Sequence, residues 1–518
     1  MSAPPENATF GIRDFPRALL ARNTVYNVLG HVMPLALAVV TVPFLIKYMG
    51  VERFGVLSLA WMVSGYFNLF DLGIGRATTK FVADYRAMGR REDISRLVTT
   101  SLLMLTGIGL IGGVVTAMAT PWLVKDILNI PEQLTGESLV AFYMMAATVP
   151  MTVLTAGTRG VLEAEQRFGI INAIKVPFSA ATLLLPLAVL PFSVSLVPVI
   201  GTLVFSRLML VVVYLWCCRE HLAARWSTAL VERSMMKKLI GFGGWLTVSQ
   251  LLPPLMGNMD RFFIGAILTM TAVTYYVTPF DMMSKMGVFP NAILGVLFPV
   301  FSVYAIDQME RLVSLYSRAI AYILIIITPV TICLIAVGDV VLNLWLGEDF
   351  ADNCTVILQL LAIGLLISSV ARVAGNIIQA SGRPDLTAKL FLIELPIYVG
   401  LLLIATSRYD IVGVAGVWLT RIVIETGILI LFCRSRMQMP IGDFFKHTSL
   451  LVVWSALCLA TAFLIAGVPN TILRVGLTVV TAAAAPLAGA LVLLDKPERE
   501  RLWQTVMSVT RLGRPAGS

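Results

Sequence analysis

Residues 354–380 read CTVILQLLAIGLLISSVARVAGNIIQA. One residue in this run, Arg372, is charged, and apolar and polar positions do not alternate with a period of two. A membrane-barrel strand would alternate and would stop after about ten residues. A helix needs about 20 apolar residues to cross roughly 30 Å of hydrocarbon. The stretch therefore reads as a transmembrane helix, and Arg372 within it needs a reason to be there.

Thirteen similar runs lie to either side. With 354–380 they make about fourteen spans, at 23–46, 55–79, 97–120, 138–158, 172–192, 194–216, 239–268, 273–303, 319–345, 386–406, 411–433, 447–467 and 471–494. The 518 residues are 58% hydrophobic and 13% charged, with a mean hydropathy of +0.86. Soluble chains carry about 25% charged residues. That deficit, spread along the whole length, excludes a cytosolic enzyme, a disordered regulator and a nucleic-acid-binding domain. The fold class expected is an all-α polytopic membrane protein.

The net charge of +9 fits a cytoplasmic excess of Lys and Arg. With the N-terminus inside, twenty-eight of the thirty-nine basic residues fall on the cytoplasmic side, five outside and six within spans. Both termini are thus expected in the cytoplasm, with an even number of crossings. The polar N-terminal stretch, MSAPPENATFGIRDFPRALLARN, carries no signal-peptide pattern. The six cysteines show no metal-ligand spacing and read as free packing residues.

A polar, basic loop near 217–238 follows the sixth span and divides the chain into an N-terminal lobe, 1–235, and a C-terminal lobe, 236–440. Residues 441–518 hold two extra helices and a tail. Six spans per lobe would place the lobes in parallel, related by an axis along the membrane normal. Proline interrupts the first span of each lobe at corresponding depth, at Pro34 and at Pro253-Pro254.

Eleven charges fall within spans. The bases are Arg76, Arg207, Arg261, Lys285, Arg372 and Arg421, and the acids are Asp71, Asp260, Asp281, Glu394 and Glu425. Each costs at least ~2.5–3.5 kcal/mol at the centre of a helix facing lipid, so they are expected to face a polar cavity or one another. Asp281 with Lys285, and Arg421 with Glu425, have the i,i+4 spacing of helix-surface ion pairs. Arg76 lies near a helix end, where it can snorkel. Arg207, Lys285 and Arg421 lie nearest mid-span. Asn27, His31, Asn68, Gln250, Asn258, Asn291 and Asn376 add polarity at depth. An intramembrane excess of one positive charge favours an anionic substrate.

The sequence contains no P-loop and no zincin motif. Gly73-Ile74-Gly75-Arg76 lies within a span and reads as close helix packing. The outer loop near 121–137 is too short for a catalytic domain. These features argue against an enzyme, a cofactor or a metal site.

The runs NTVYNVLG (23–30), PFLIKYMGVERFGV (43–56), FDLGIGRATTKFVA (70–83), FGGWLTVSQ (242–250), MDRFFIG (259–265) and YYVTPFD (275–281) resemble the Wzx-like polysaccharide (oligosaccharide-lipid) flippases of the multidrug/oligosaccharidyl-lipid/polysaccharide exporter superfamily. The resemblance covers most of 20–435. It implies fourteen spans in two six-helix lobes around a central cavity, with two further C-terminal helices. It implies a bacterial inner-membrane protein that moves undecaprenyl-diphosphate-linked oligosaccharide outward by alternating access, alongside other polysaccharide-biosynthesis proteins. Asp71, Arg76, Asp260 and Arg261 match its motifs. The other cavity bases, Arg207, Lys285, Arg372 and Arg421, rest on depth alone. The five acids are candidates for ion coupling. A multidrug cation antiporter of the same superfamily is the alternative, and it would favour an acidic cavity. A polymerase or ligase would need large outer loops, and a structural subunit of an export complex would tolerate neutralising its buried charges.

Overall fold

The computed structural model describes residues 37–67, 71–219, 235–237, 239, 255–437, 441–494 and 499–500. Pro34, Pro253-Pro254, Asn27, His31, Asn68, Gln250 and the loop at 220–234 lie outside the described residues. Every described element is helical, which is the solution open to a backbone that must satisfy its own hydrogen bonds in lipid.

The elements are α1 (Leu37–Met49), α2 (Val51–Tyr66), α3 (Ile74–Ala87), α4 (Arg91–Trp122, continued by a π turn, Leu123–Ile127), α5 (Glu132–Ala146), α6 (Val149–Ala164), α7 (Phe168–Val189) and α8 (Leu196–Cys217). Then follow α9 (255–267), α10 (Met270–Met286), α11 (Val288–Asp307), α12 (Met309–Ala336), α13 (Gly338–Leu346), α14 (Glu348–Ala380), α15 (Pro384–Met437), α16 (Ile441–Ala466) and α17 (Thr471–Leu493). Nine helices among the described residues are long and apolar enough to cross a bilayer.

Several expected spans differ in detail. The run 55–79 is two helices, α2 and α3, because Leu72 and Gly73 take positive φ of 48° and 69°. The Gly73 N–H donates to Asp71 Oδ1 at 2.8 Å, which closes the turn. The run 273–303 divides at Gly287, between α10 and α11. The outer loop near 121–137 shrinks to a few residues, because α4 and its π turn reach Ile127 and α5 begins at Glu132. The expected break between 406 and 411 falls at Asp410, whose φ of 57° interrupts α15. Its carboxylate accepts from the Ile411 N–H at 2.7 Å.

The chain forms two compact units. Unit 1 holds the described parts of Met1–Arg53, Val63–Pro121 and Leu134–Thr247. Unit 2 holds Phe54–Met62, Trp122–Gln133 and the described parts of Val248–Ser518. In unit 1, α6 packs on α3, α7 and α8. The α3–α6 crossing is close: a Cβ on Gly160 would lie 2.5 Å from the Gly75 carbonyl oxygen. Gly73 thus makes a turn and Gly75 makes a helix crossing. At the end of α8, Cys218 is buried and donates its S–H to the Thr158 carbonyl at 3.3 Å, and burial pushes its thiol up to about 12.

In unit 2, α14 is the central helix and contacts α10, α11, α12, α13 and α15. The last two helices, α16 and α17, pack on α12. Arg474 of α17 bonds Asp339 of α13 at 2.6 Å. The core is apolar and so is much of the outside: Met118, Leu464 and Leu491 are exposed. Such residues suit a lipid-facing surface.

Candidate functional site: an ion-paired cavity in unit 2

Within unit 2, α9 and α10 bring two acids and one base together. Asp260 is fully buried. Tyr276 donates its hydroxyl to Asp260 Oδ2 at 2.5 Å. The neighbouring Arg261 is buried, bonds Asp281 and lies over the Phe280 ring, 5.0 Å from its centre. Tyr276 and Phe280 are four residues apart on α10 and share a face, and Asp281, next to Phe280, reaches the Arg261 guanidinium from the adjoining side of the helix. The expected Asp281–Lys285 pair does not form. Arg261 takes the Asp281 carboxylate instead, and Lys285 is exposed. A buried guanidinium has far more to gain from a carboxylate than an exposed ammonium does.

The second cluster lies on α15, on either side of the break at Asp410. Arg421 bonds Glu425 at 3.1 Å, and Glu394 approaches the same guanidinium at 3.9 Å. The Arg421 guanidinium sits 5.0 Å from the centre of the Tyr398 ring. Arg421–Glu425 is the i,i+4 pair that the sequence predicts. The approach of Glu394 and Tyr398 depends on the chain turning back at Asp410, within the expected break between 406 and 411; that these two side chains then reach Arg421 is not revealed by spacing.

Beside this cluster is a cavity of about 440 Å³. Arg421 and Glu425 line it from α15, with Arg372, Asn376 and Gln379 from α14. Phe280 and Trp418 meet edge to face at 5.9 Å along its apolar wall. Arg372 donates to Asn291 Oδ1 at 3.2 Å, and among the described residues no carboxylate lies within ion-pair distance of it. It does share an electrostatic interaction with Glu425. Of the six expected cavity bases, this cavity collects Arg372 and Arg421. Arg261 is committed beneath it and Lys285 does not line it.

Unit 1 holds the remaining candidates. Arg207 lies mid-way along α8, half-buried, and makes no ion pair or hydrogen bond among the described residues. Arg76 is exposed in the first turn of α3. Asp71 caps the α2–α3 turn, a local task that accounts for its position.

Reasoning from charges alone missed Tyr276, Phe280 and Tyr398, the aromatic partners of those charges, and Trp418, which packs on Phe280. The four-residue spacing of Tyr276 to Phe280 and of Glu394 to Tyr398 was the available signal. Among the described residues no group of three His, Cys, Asp or Glu side chains could hold a metal.

Comparison with known proteins places this geometry. The sequence pattern of the family described as "Polysaccharide biosynthesis protein" matches residues 20–305, more than half of the chain. The chain belongs to this family. It is 27% identical over 410 residues to a Shigella flexneri protein named "Putative O-antigen transporter", covering 79% of this chain and 96% of that one. It is 22% identical over 396 residues to the lipopolysaccharide biosynthesis protein WzxC of Escherichia coli K12, covering 75% of each. Two solved structures share the fold. One is an inward-facing multidrug resistance MATE family transporter of the MOP superfamily (TM-score 0.67, 14% identity, 82% of this chain and 95% of that one). The other is the lipid II flippase MurJ in an inward closed conformation (TM-score 0.66, 13% identity, 91% and 99%). The family is thus one of polytopic helical membrane proteins of polysaccharide biosynthesis, as the sequence motifs imply.

Proposed function

We propose that this protein is a flippase for lipid-linked oligosaccharides, carrying undecaprenyl-diphosphate-linked repeat units from the cytoplasmic to the periplasmic leaflet of a bacterial inner membrane. The observation that carries the reading is a polar, ion-paired cavity inside apolar helices, in a chain whose relatives are named for O-antigen and lipopolysaccharide export. A sugar–diphosphate head cannot cross hydrocarbon without hydrogen-bond partners. A protein that offers such partners at depth removes that barrier. The polyprenyl tail stays in lipid, and alternating access exposes the head first to one side and then to the other.

The half-buried Arg207 supports a phosphate contact. A mid-span guanidinium without a carboxylate is costly in the empty protein, and a phosphate would bind it in bidentate fashion. Arg76, exposed at a helix start, is a second contact. No bond is made or broken in flipping, so this reading assigns no catalytic residue. An inside-negative potential assists outward movement of the anionic head by ~2.3 kcal/mol per charge per 100 mV. The charge asymmetry of the loops supports both termini in the cytoplasm.

The multidrug-antiporter reading is weaker. The fold is shared with a MATE transporter, but the cavity in unit 2 holds compensated charges rather than the acidic excess that a cationic substrate would favour. The test is depletion of the protein in its own cell, followed by chemical analysis of the lipid fraction. Lipid-linked repeat units accumulating on the cytoplasmic face are expected, with loss of surface polymer. Unchanged polymer, with altered sensitivity to cationic drugs, refutes the flippase.

A further inference from the structure

Building on the flippase reading, we infer that the cavity in unit 2 seats an uncharged sugar residue of the head group and does not seat the diphosphate. The argument begins with charge. Arg372, Arg421 and Glu425 line the cavity, and a fourth charge, Glu394, reaches the Arg421 guanidinium without lining the cavity itself. They sum to zero. Arg421 is held between both carboxylates, at 3.1 and 3.9 Å. Arg372 alone is open to a diphosphate without breaking a pair; a second guanidinium could come only from Arg421, taken from Glu425 and Glu394, which would leave two carboxylates beside the ligand without their cation. Juxtaposed like charges select against a partner. The same arrangement suits a ligand with many hydroxyls and no net charge, because paired ions still donate and accept hydrogen bonds at their open edges.

The remaining walls match the two faces of a sugar ring. Asn376 and Gln379 follow Arg372 at four and seven residues along α14, so they share a helix face. Asn376 spends its amide N–H on the Arg372 carbonyl, at 2.8 Å, which leaves its oxygen to accept from a ligand. The Gln379 side chain is exposed and makes no bond among the described residues. Phe280, Phe391 and Trp418 contribute aromatic rings to the apolar part of the wall, suited to the C–H face of a pyranose. The volume, about 440 Å³, is at the lower end of the ~300–1,000 Å³ range of small-molecule sites. It fits one sugar residue rather than a whole repeat unit.

The test uses the full-length protein in lipid nanodiscs and saturation-transfer NMR. The probes are methyl glucoside and methyl N-acetylglucosaminide (uncharged), methyl glucuronide (acidic) and inorganic pyrophosphate. At least one uncharged glycoside binds, with affinity unchanged between low and high salt. Gln379→Ala and Asn376→Ala each weaken it about tenfold, the loss of one or two hydrogen bonds. Pyrophosphate does not displace it. Binding of no uncharged glycoside, displacement by pyrophosphate or glucuronide, or unaltered binding in both variants each overturns the inference. Polymer export by cells carrying the wild-type gene is scored in parallel. If export is restored while the glycosides fail to bind, the sugar seat is wrong and the flippase stands. If export is not restored, the flippase reading itself fails.

Discussion

Replacing Arg421 by glutamine should destabilise the protein, and removing its two acidic partners as well should restore stability. The side chains of Arg421, Glu394 and Glu425 are 12%, 9% and 13% exposed, so water screens them little. Unit charges about 4 Å apart interact by roughly 4 kcal/mol at an effective dielectric of 20. Breaking a buried pair by deleting one partner typically costs ~3–5 kcal/mol, because it leaves an uncompensated charge. Arg421→Gln leaves two such charges beside each other. With a Tm shift of roughly 2 °C per kcal/mol for large chains, a drop of about 6–10 °C is expected. The triple variant Glu394→Gln/Arg421→Gln/Glu425→Gln keeps the shape and removes every charge. Such replacements are often neutral, or stabilising by ~1–4 kcal/mol. Intrinsic fluorescence of the nine tryptophans during heating, in nanodiscs, reads the shift. If Arg421→Gln melts with the wild type, or the triple variant melts below Arg421→Gln, the three groups do not form one compensated unit.

Arg207→Gln should leave the melting temperature within about 2 °C of wild type, since no carboxylate is left unpaired, while polymer export falls to background; normal export would remove Arg207 from the substrate path. Gly160→Ala should destabilise unit 1 by about 1–3 kcal/mol, through contact with the Gly75 carbonyl, whereas Gly400→Ala, with nothing within 4 Å of the new methyl, should be neutral or gain up to about 1 kcal/mol; thermal unfolding of the two variants checks the contrast. A reporter fused near residue 130 should be periplasmic and one near residue 228 cytoplasmic, and reversal of either would refute the span assignment.

The membrane class was legible from residues 354–380 and the runs like them, because long apolar segments have one stable form in lipid. The family was legible in DLGIG and MDR, and the Arg421–Glu425 pair in its spacing. Other features needed contacts between distant parts of the chain. Asp281 has Lys285 one turn away but bonds Arg261, twenty positions earlier, because α9 and α10 bring a buried guanidinium to it. Glu394 and Arg421 meet because α15 turns back at Asp410, within the break expected between 406 and 411; the break was legible, but not which side chains it brings face to face. The α2–α3 break at Leu72-Gly73 fell inside one expected span, although Asn68 and Asp71 stand just before it.

Composition and local spacing thus determined that the chain enters a membrane as helices and which charges fall within its apolar runs, and the resemblance of its motifs pointed to the family. Tertiary structure decided which of those charges neutralise each other and which, such as Arg207, find no ion-pair partner among the described residues. Insertion depends on the apolarity of each segment, a property carried by consecutive residues. Charge compensation depends on distances of a few ångströms between side chains, and those distances exist only once the helices have packed.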